Sequence, residues 1–372
     1  MRIGIDARFY GTFGKGLGRY TEKLITNLEK IDHHNQYFVL LRKENWADYT
    51  PRNKNFKKVL ADFRWYTVAE QLLFPLKLWT LRLDLVHFTH FNVPVLYRRP
   101  FVVTIHDLIL AKYPTQRASA LTPLLYKLKH RGYKFVIKSA VQRAKKVIAV
   151  SEFTKKEVTE HFCINPQKIK VTYEAVDPTR DLAAKQGDVL RRYRVRKPYF
   201  LYVGNVYPHK NIEGLLKAFK KFLHRNGDYH LVLVGKEDYF FKRVKKLVRL
   251  MDLEQKVIFT GFVTDTDLPY LYTNAKFYAF PSFCEGFGLP ALEACSYGIP
   301  VIASNSSCLP EVLADAALFF NPENIDEIVH AMHTVVTDDT VTKKLIAAGY
   351  RRSQFFSWEK MAEITLDLYN EV

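Results

Sequence analysis

Residues 281–293 read Pro-Ser-Phe-Cys-Glu-Gly-Phe-Gly-Leu-Pro-Ala-Leu-Glu. The apolar run Lys276 to Phe280 predicts a strand that leads straight into this segment and holds Glu285 at its end. Gly286 and Gly288 let backbone N–H groups come close to a ligand. Pro290 suits the first position of a helix, where its missing N–H costs nothing. The helix it opens aims free N–H groups and its positive dipole end at one spot, which makes an anion site. Glu293 sits about one turn into that helix. Two acids beside an anion site make sense for a ligand that also carries hydroxyls. A sugar nucleotide has both.

Other strand ends carry candidate chemistry. Gly14, Gly16 and Gly18 follow the first strand and could bring backbone N–H groups to a phosphate ahead of a helix. Their G-x-G-x-G spacing does not fit the dinucleotide fingerprint, and a plain surface loop explains them as well. Phe101-Val-Val-Thr-Ile ends in His106-Asp107, where a histidine can donate to a substrate hydroxyl or polarise a leaving group. Taken alone, such a histidine is more often structural. Tyr202-Val-Gly204-Asn205 is followed by Pro208-His209-Lys210-Asn211 and a helical stretch from Ile212 to Phe222. Lys210 is a mobile point charge suited to a diphosphate, although an isolated lysine is usually solvated.

The elements that position these residues alternate strand and helix. Six short strand runs are expected in the first half: 2–7, 37–41, 83–88, 101–106, 146–150 and 170–173. Six more follow at 199–204, 230–235, 256–260, 276–280, 300–303 and 317–320. The pattern predicts an α/β protein with parallel sheets covered on both faces. A chain of 372 residues divides into two doubly wound domains, with a polar, basic break at 181–197. Ser357 is a suitable N-cap for a terminal helix, 357–372. Ligands of such sheets lie beyond the strand carboxyl ends, so two facing domains predict a site in the cleft between them.

The net charge is +18, and its distribution is uneven. Residues 1–185 hold 33 Lys and Arg against 16 Asp and Glu, whereas residues 186–372 hold 23 against 22. Between Asp107 and Glu152 there are ten basic residues and no acid. On a helical wheel for 120–146, Lys127, Arg131, Lys134, Lys138 and Lys145 fall within about 60° of one another. Leu121, Leu125, Gly132, Val136 and Ala140 lie roughly opposite. Such a stripe suits an anionic membrane surface or an anionic acceptor, while a core-packed helix with a solvated basic face is the plainer explanation. Cys163, Cys284, Cys295 and Cys308 lack metal spacing and read as reduced thiols. No signal peptide or transmembrane run is expected, which predicts a cytoplasmic protein.

With Glu285, Gly-Phe-Gly-Leu-Pro and Glu293 in place, the chain resembles the family 4 retaining glycosyltransferases of GT-B fold. The likeness extends over its whole length, through Val103-Thr-Ile-His-Asp107, Val150-Ser-Glu-Phe-Thr154, the segments at 202–204 and 208–211, and Thr260-Gly-Phe-Val263. Asp84-Leu-Val-His-Phe-Thr-His-Phe-Asn-Val-Pro94 is similar to a subgroup rich in bacterial mannosyltransferases. The resemblance implies two Rossmann-like domains, 1–185 on the acceptor side and 186–356 for the nucleotide sugar, with 357–372 crossing back to the first. It implies that Glu285 binds donor-sugar hydroxyls, Lys210 balances the leaving diphosphate and His106 contacts the sugar near its reacting carbon. Glu293 would hold the ribose, while Phe287, Gly288 and Leu289 offer backbone N–H groups. Val263 would meet the base through its backbone. Gly16, Gly18, Gly204 and Asn205 would complete the donor site. Many relatives carry Arg where this chain has Asn205, so the diphosphate charge would fall to Lys210, alone or with Arg19 or His209.

The implied activity is transfer of a sugar, mannose from GDP-mannose, to a glycan or lipid-linked acceptor at the inner face of the cytoplasmic membrane. No acid cluster resembles a metal site, so neither metal nor cofactor is expected beyond the donor. Alternative readings are a UDP-sugar glucosyl or N-acetylglucosaminyl transferase, or another GT-B enzyme such as an epimerase. A nucleic-acid-binding protein would account for the charge but not for residues 281–293.

Overall fold

The computed structural model describes residues 1–11, 15–113, 123–177 and 186–372. These fall into two compact units: the described residues up to 174 together with 357–372, and those from 175 to 356. The expected boundary after residue 185 lies next to residues outside the described set.

The first unit is built on a seven-stranded parallel sheet, ordered β3-β2-β1-β4-β5-β6-β7. Its strands are β1 Arg2–Asp6, β2 Gln36–Leu41, β3 Phe56–Leu60, β4 Leu85–Phe88, β5 Phe101–Ile105, β6 Lys146–Ala149 and β7 Ile169–Val171. β3 is one strand more than the sequence pattern suggested. Its central Lys57 and Lys58 mask the hydrophobic signal, and as an edge strand it does not need burial on both faces.

Side chains alternate between the two faces of this sheet. Val86 and Phe88 of β4 join a core with Phe74 and Leu78 of the Val68–Thr80 helix and with Ile137, Ala140 and Val141 of the Pro123–Arg143 helix. His87 points the other way. Its Nδ1 lies 2.6 Å from Tyr369 Oη and its Nε2 lies 2.8 Å from Thr104 Oγ1. Burial pushes the His87 pKa down to about 3. Tyr369 belongs to the last helix, Trp358–Asn370, which packs beside the Lys15–Ile31 helix and is capped by Ser357 accepting from Lys360 N–H.

The second unit holds a six-stranded parallel sheet, ordered β10-β9-β8-β11-β12-β13. All six expected runs form strands: β8 Tyr199–Val203, β9 His230–Val234, β10 Val257–Gly261, β11 Phe277–Phe280, β12 Val301–Ser304 and β13 Ala317–Phe320. β9, β11 and β12 are buried along their whole length, which is why they read as nearly continuous apolar runs. The stretch expected as a plain break at 181–197 contains a helix, Gln186–Arg192. Asp267 anchors its end, accepting from Arg192 at 2.7 Å and Tyr193 at 2.9 Å.

In each sheet the strand order reverses once, between β1 and β4 and between β8 and β11. Residues that follow these strands are therefore the ones placed for a ligand.

Candidate active site

At the reversal point of the second unit, two loops are tied together. After β8, Tyr202 Oη donates to Asn205 O at 2.5 Å, and a short turn, Pro208–Lys210, leads into the Ile212–Asn226 helix. Asn211 takes the left-handed conformation (φ 54°) between turn and helix, and its Nδ2 donates to Pro322 O at 2.8 Å. After β11, Phe283 N–H donates to His209 O at 2.8 Å. That bond aligns the loops so that Lys210 Nζ lies 2.6 and 2.7 Å from the two carboxylate oxygens of Glu285. The side chains are only 14% and 8% exposed, so this is a largely buried ion pair. Glu285 N–H donates to Ser307 Oγ at 3.0 Å, and Ser307 itself holds a left-handed backbone (φ 57°).

Gly288 closes the turn that follows. At φ 95° it occupies the region where L side chains are strained, and a Cβ there would lie 2.8 Å from Leu309 Cδ2. It precedes the Leu289–Ser296 helix without a side-chain cap. Pro290 is the second residue of that helix rather than the expected first, and its carbonyl accepts from Tyr272 Oη at 3.3 Å. Tyr272 also donates to Glu293 Oε2 at 3.1 Å and stacks on Tyr297 at 5.4 Å. Phe287 is buried edge-on against Phe356. Val263, just beyond β10, is buried too. Glu285, Lys210, Gly288 and Leu289 thus gather at one reversal point. An ammonium, a carboxylate and a glycine turn in that arrangement can serve a ligand with both anionic and hydroxyl parts.

His209 does not supply the charge that Asn205 lacks. Burial, then the neighbouring Lys210 charge, pushes its pKa down to about 3, so the ring is neutral near pH 7. Asn205 contributes no charge either; Tyr207 N–H lies 3.5 Å from its Oδ1, at the outer limit of a hydrogen bond.

In the first unit, Gly16 is exposed at the start of the Lys15–Ile31 helix and Gly14 lies outside the described residues. Gly18 is buried against backbone: a Cβ there would sit 2.0 Å from Gly11 O and 2.5 Å from Phe9 O. Close packing of this helix on the exit from β1 therefore demands glycine at position 18. His106 Nδ1 lies 3.1 Å from Glu174 Oε1 and Nε2 lies 3.0 Å from Thr89 O. Each ring nitrogen thus faces an oxygen acceptor. Contact with a substrate would require one of these bonds to give way.

The basic helix departs from its wheel. Arg131, Lys134 and Lys138 are exposed, but so is Gly132, which was expected on the apolar face. Ala140 enters the core as expected, but it is joined there by Ile137, Val141 and Ala144. Lys145 lies beyond the helix end at Arg143, and the Lys127 side chain is outside those described.

Sequence reasoning overlooked Tyr272, Ser307 and Glu174. Glu174 follows β7, so the rule that singled out His106 would have found it. Tyr272 and Ser307 carry no local signal, because each acts across the fold. All four cysteines are free, and burial pushes the Cys295 thiol up to about 12. Among the described residues, no three His, Cys, Asp or Glu side chains gather as a metal site would require.

The profile described as Glycosyl transferases group 1 matches residues 191–352. That of Glycosyltransferase Family 4 matches residues 14–180. The chain is 31% identical to the O-antigen chain mannosyltransferase B of Escherichia coli, covering 95% of each protein. It is 30% identical to an O-antigen chain mannosyltransferase of Salmonella typhimurium, over 84% of this chain and 85% of that one. Among solved structures, Anabaena HepE in complex with UDP and glucose superposes with a TM-score of 0.75 at 17% identity, covering 100% of this chain and 99% of that one.

Proposed function

The chain belongs to the group 1, family 4 glycosyltransferases of GT-B fold, and we propose that it is a retaining mannosyltransferase using GDP-mannose. Its acceptor is a glycan or lipid-linked glycan, and it works on the inner face of the cytoplasmic membrane. The two O-antigen mannosyltransferases at 31% and 30% identity support the sugar. The observation that carries the site is the ion pair between Lys210 and Glu285, with Nζ 2.6 Å from the carboxylate.

Breaking the glycosidic bond builds positive charge on the sugar and negative charge on the diphosphate. An arriving diphosphate competes with Glu285 for the Lys210 ammonium. Glu285, released from its partner, then accepts hydrogen bonds from sugar hydroxyls. Backbone N–H groups of Phe287, Gly288 and Leu289 face the same charge, and groups held ready for developing charge are the largest catalytic contribution in many enzymes. Glu293, held by Tyr272, binds the ribose, and Val263 meets the base. Gly204 and Asn205 complete the donor site on the second unit. The departing phosphate takes the acceptor's proton on the face where the sugar leaves, giving retention. Lys210 and the amides meet the diphosphate charge without a metal, so EDTA should leave the rate unchanged.

The test pairs thermal-shift measurement with a transfer assay. GDP-mannose should raise the melting temperature more than UDP-glucose, because ligand bound only to the native state stabilises it. Glu285→Gln should lower kcat by about a hundredfold to a thousandfold, the range seen for a lost charge-stabilising contact. Unchanged transfer by that variant overturns the site, and a larger shift with UDP-glucose overturns the donor.

A further inference from the structure

The Val68–Thr80 helix carries an exposed face that the site does not use. Val68 is 74% exposed, Leu72, Leu73 and Leu76 are each 50% exposed, and Trp79 is 40% exposed. At 100° per residue these five fall within about 140° of one another. The opposite face is buried through Phe74 and Leu78. Isolated surface leucines need no explanation, but a contiguous stripe of this kind marks an interaction surface.

The surroundings indicate its partner. From 63 to 83 the basic residues are Arg64, Lys77 and Arg82, and the single acid is Glu70. Glu70 is buried and bonded to Arg8 at 2.7 Å, so it contributes no negative charge to the surface. The basic Pro123–Arg143 helix packs on the same face of the first sheet, within the same core. Segment 92–99 joins the two: Val95 N–H donates to Gln71 Oε1 at 2.9 Å, and Arg143 donates to Val95 O at 2.7 Å. This segment presents exposed Leu96, Arg98 and Arg99. The outward faces of both helices therefore look away from one side of the sheet, one apolar and the other basic. On the basic helix Phe135 is 61% exposed.

We propose that the Val68–Thr80 helix is the part of this protein that enters the lipid surface, its apolar face buried among the acyl chains of an anionic bilayer while the neighbouring basic helix lies over the headgroups. This rests on the reading of the basic helix as membrane-facing and refines it. Among the described side chains of the basic helix, the core takes up Ile137, Ala140 and Val141, and Phe135 is the large apolar residue left exposed. Apolar burial and anionic attraction together are what hold an interfacial helix on a membrane. A second copy of the chain fits less well, because pairing would bring two basic rims together. Nucleic acid would leave the apolar stripe without a partner.

The experiment is co-sedimentation of the full chain with phosphatidylcholine vesicles, with and without phosphatidylglycerol, at low and high salt. Wild type should bind the anionic vesicles. Leu72→Ser/Leu76→Ser should weaken that binding about tenfold or more at either salt, since two leucines lose their burial. Lys134→Glu/Lys138→Glu should weaken it at low salt only. Trp79 fluorescence should shift to the blue on vesicles, and Trp79→Phe should abolish that change. Equal vesicle binding by wild type and the serine variant overturns the proposal, as does no binding by wild type. A wild-type dimer that the serine variant dissociates would identify the face as a self-interface and overturns it too. The donor-induced thermal shift is read in parallel. If it fails while vesicle binding depends on Leu72 and Leu76, the enzymatic reading falls and this one stands.

Discussion

Lys210 and Glu285 neutralise each other in a setting where neither is well hydrated. Removing one partner strands the other's charge, which costs far more than the pair contributes. Lys210→Met should therefore lower stability by about 3 kcal/mol, as for a broken buried pair. Adding Glu285→Gln should return much of that loss, because the stranded carboxylate is gone. Under the proposed assignment, transfer by the double variant should be no faster than by Glu285→Gln. Urea denaturation of the two singles and the double, alongside the transfer assay, checks this; a double variant no more stable than Lys210→Met would show the pair is not the source. Both residues were singled out in sequence as candidate ligand groups. Their bond to each other was not, because the two lie 75 positions apart.

At the level of elements, the turn at 286–288 depends on backbone geometry that only glycine meets easily. Gly288→Ala places a Cβ 2.8 Å from Leu309 Cδ2 at φ 95°. It should cost about 1–3 kcal/mol, the usual range for a strained backbone position. The larger effect should fall on donor binding, because the turn carries the amides of Phe287 and Leu289. Melting temperature with and without GDP-mannose separates the two effects, and a normal donor shift in the alanine variant would show that the turn does not hold the donor. The strand–helix alternation was readable because parallel strands buried on both faces leave apolar runs. β3 was not readable, since an edge strand tolerates lysines. The basic helix was readable in existence but not in orientation. A wheel weighs all apolar residues alike, whereas the core selected Ile137 and Val141 over Gly132 and Val136.

Each unit contains a buried histidine whose pKa is pushed to about 3: His87 in the first by burial, and His209 in the second by burial and then Lys210. The unfolded chain takes up these protons near pH 6.5, whereas the folded chain does not. Below that value the unfolded state binds more protons, so stability is fully present above about pH 6.5 and falls toward pH 3. At pH 5 each histidine should cost roughly 2 kcal/mol. Urea midpoints at pH 5 and pH 7.5 measure the total together with the like contribution of His90, which burial also pushes well down, and His87→Gln should reduce the dependence of the first unit. Equal midpoints in wild type would show that neither ring is held neutral. By itself, the sequence determined the two-sheet class, the uneven charge and the residues that follow each strand, because these are properties of composition, local periodicity and spacing. Only the tertiary structure decided which of those residues meet. Strand order sets β8 beside β11 and so joins Lys210 to Glu285. Packing decides which helix faces the core takes, leaving Leu72, Leu76 and Trp79 at the surface. Pairing and burial are relations between distant segments, and local spacing does not encode them.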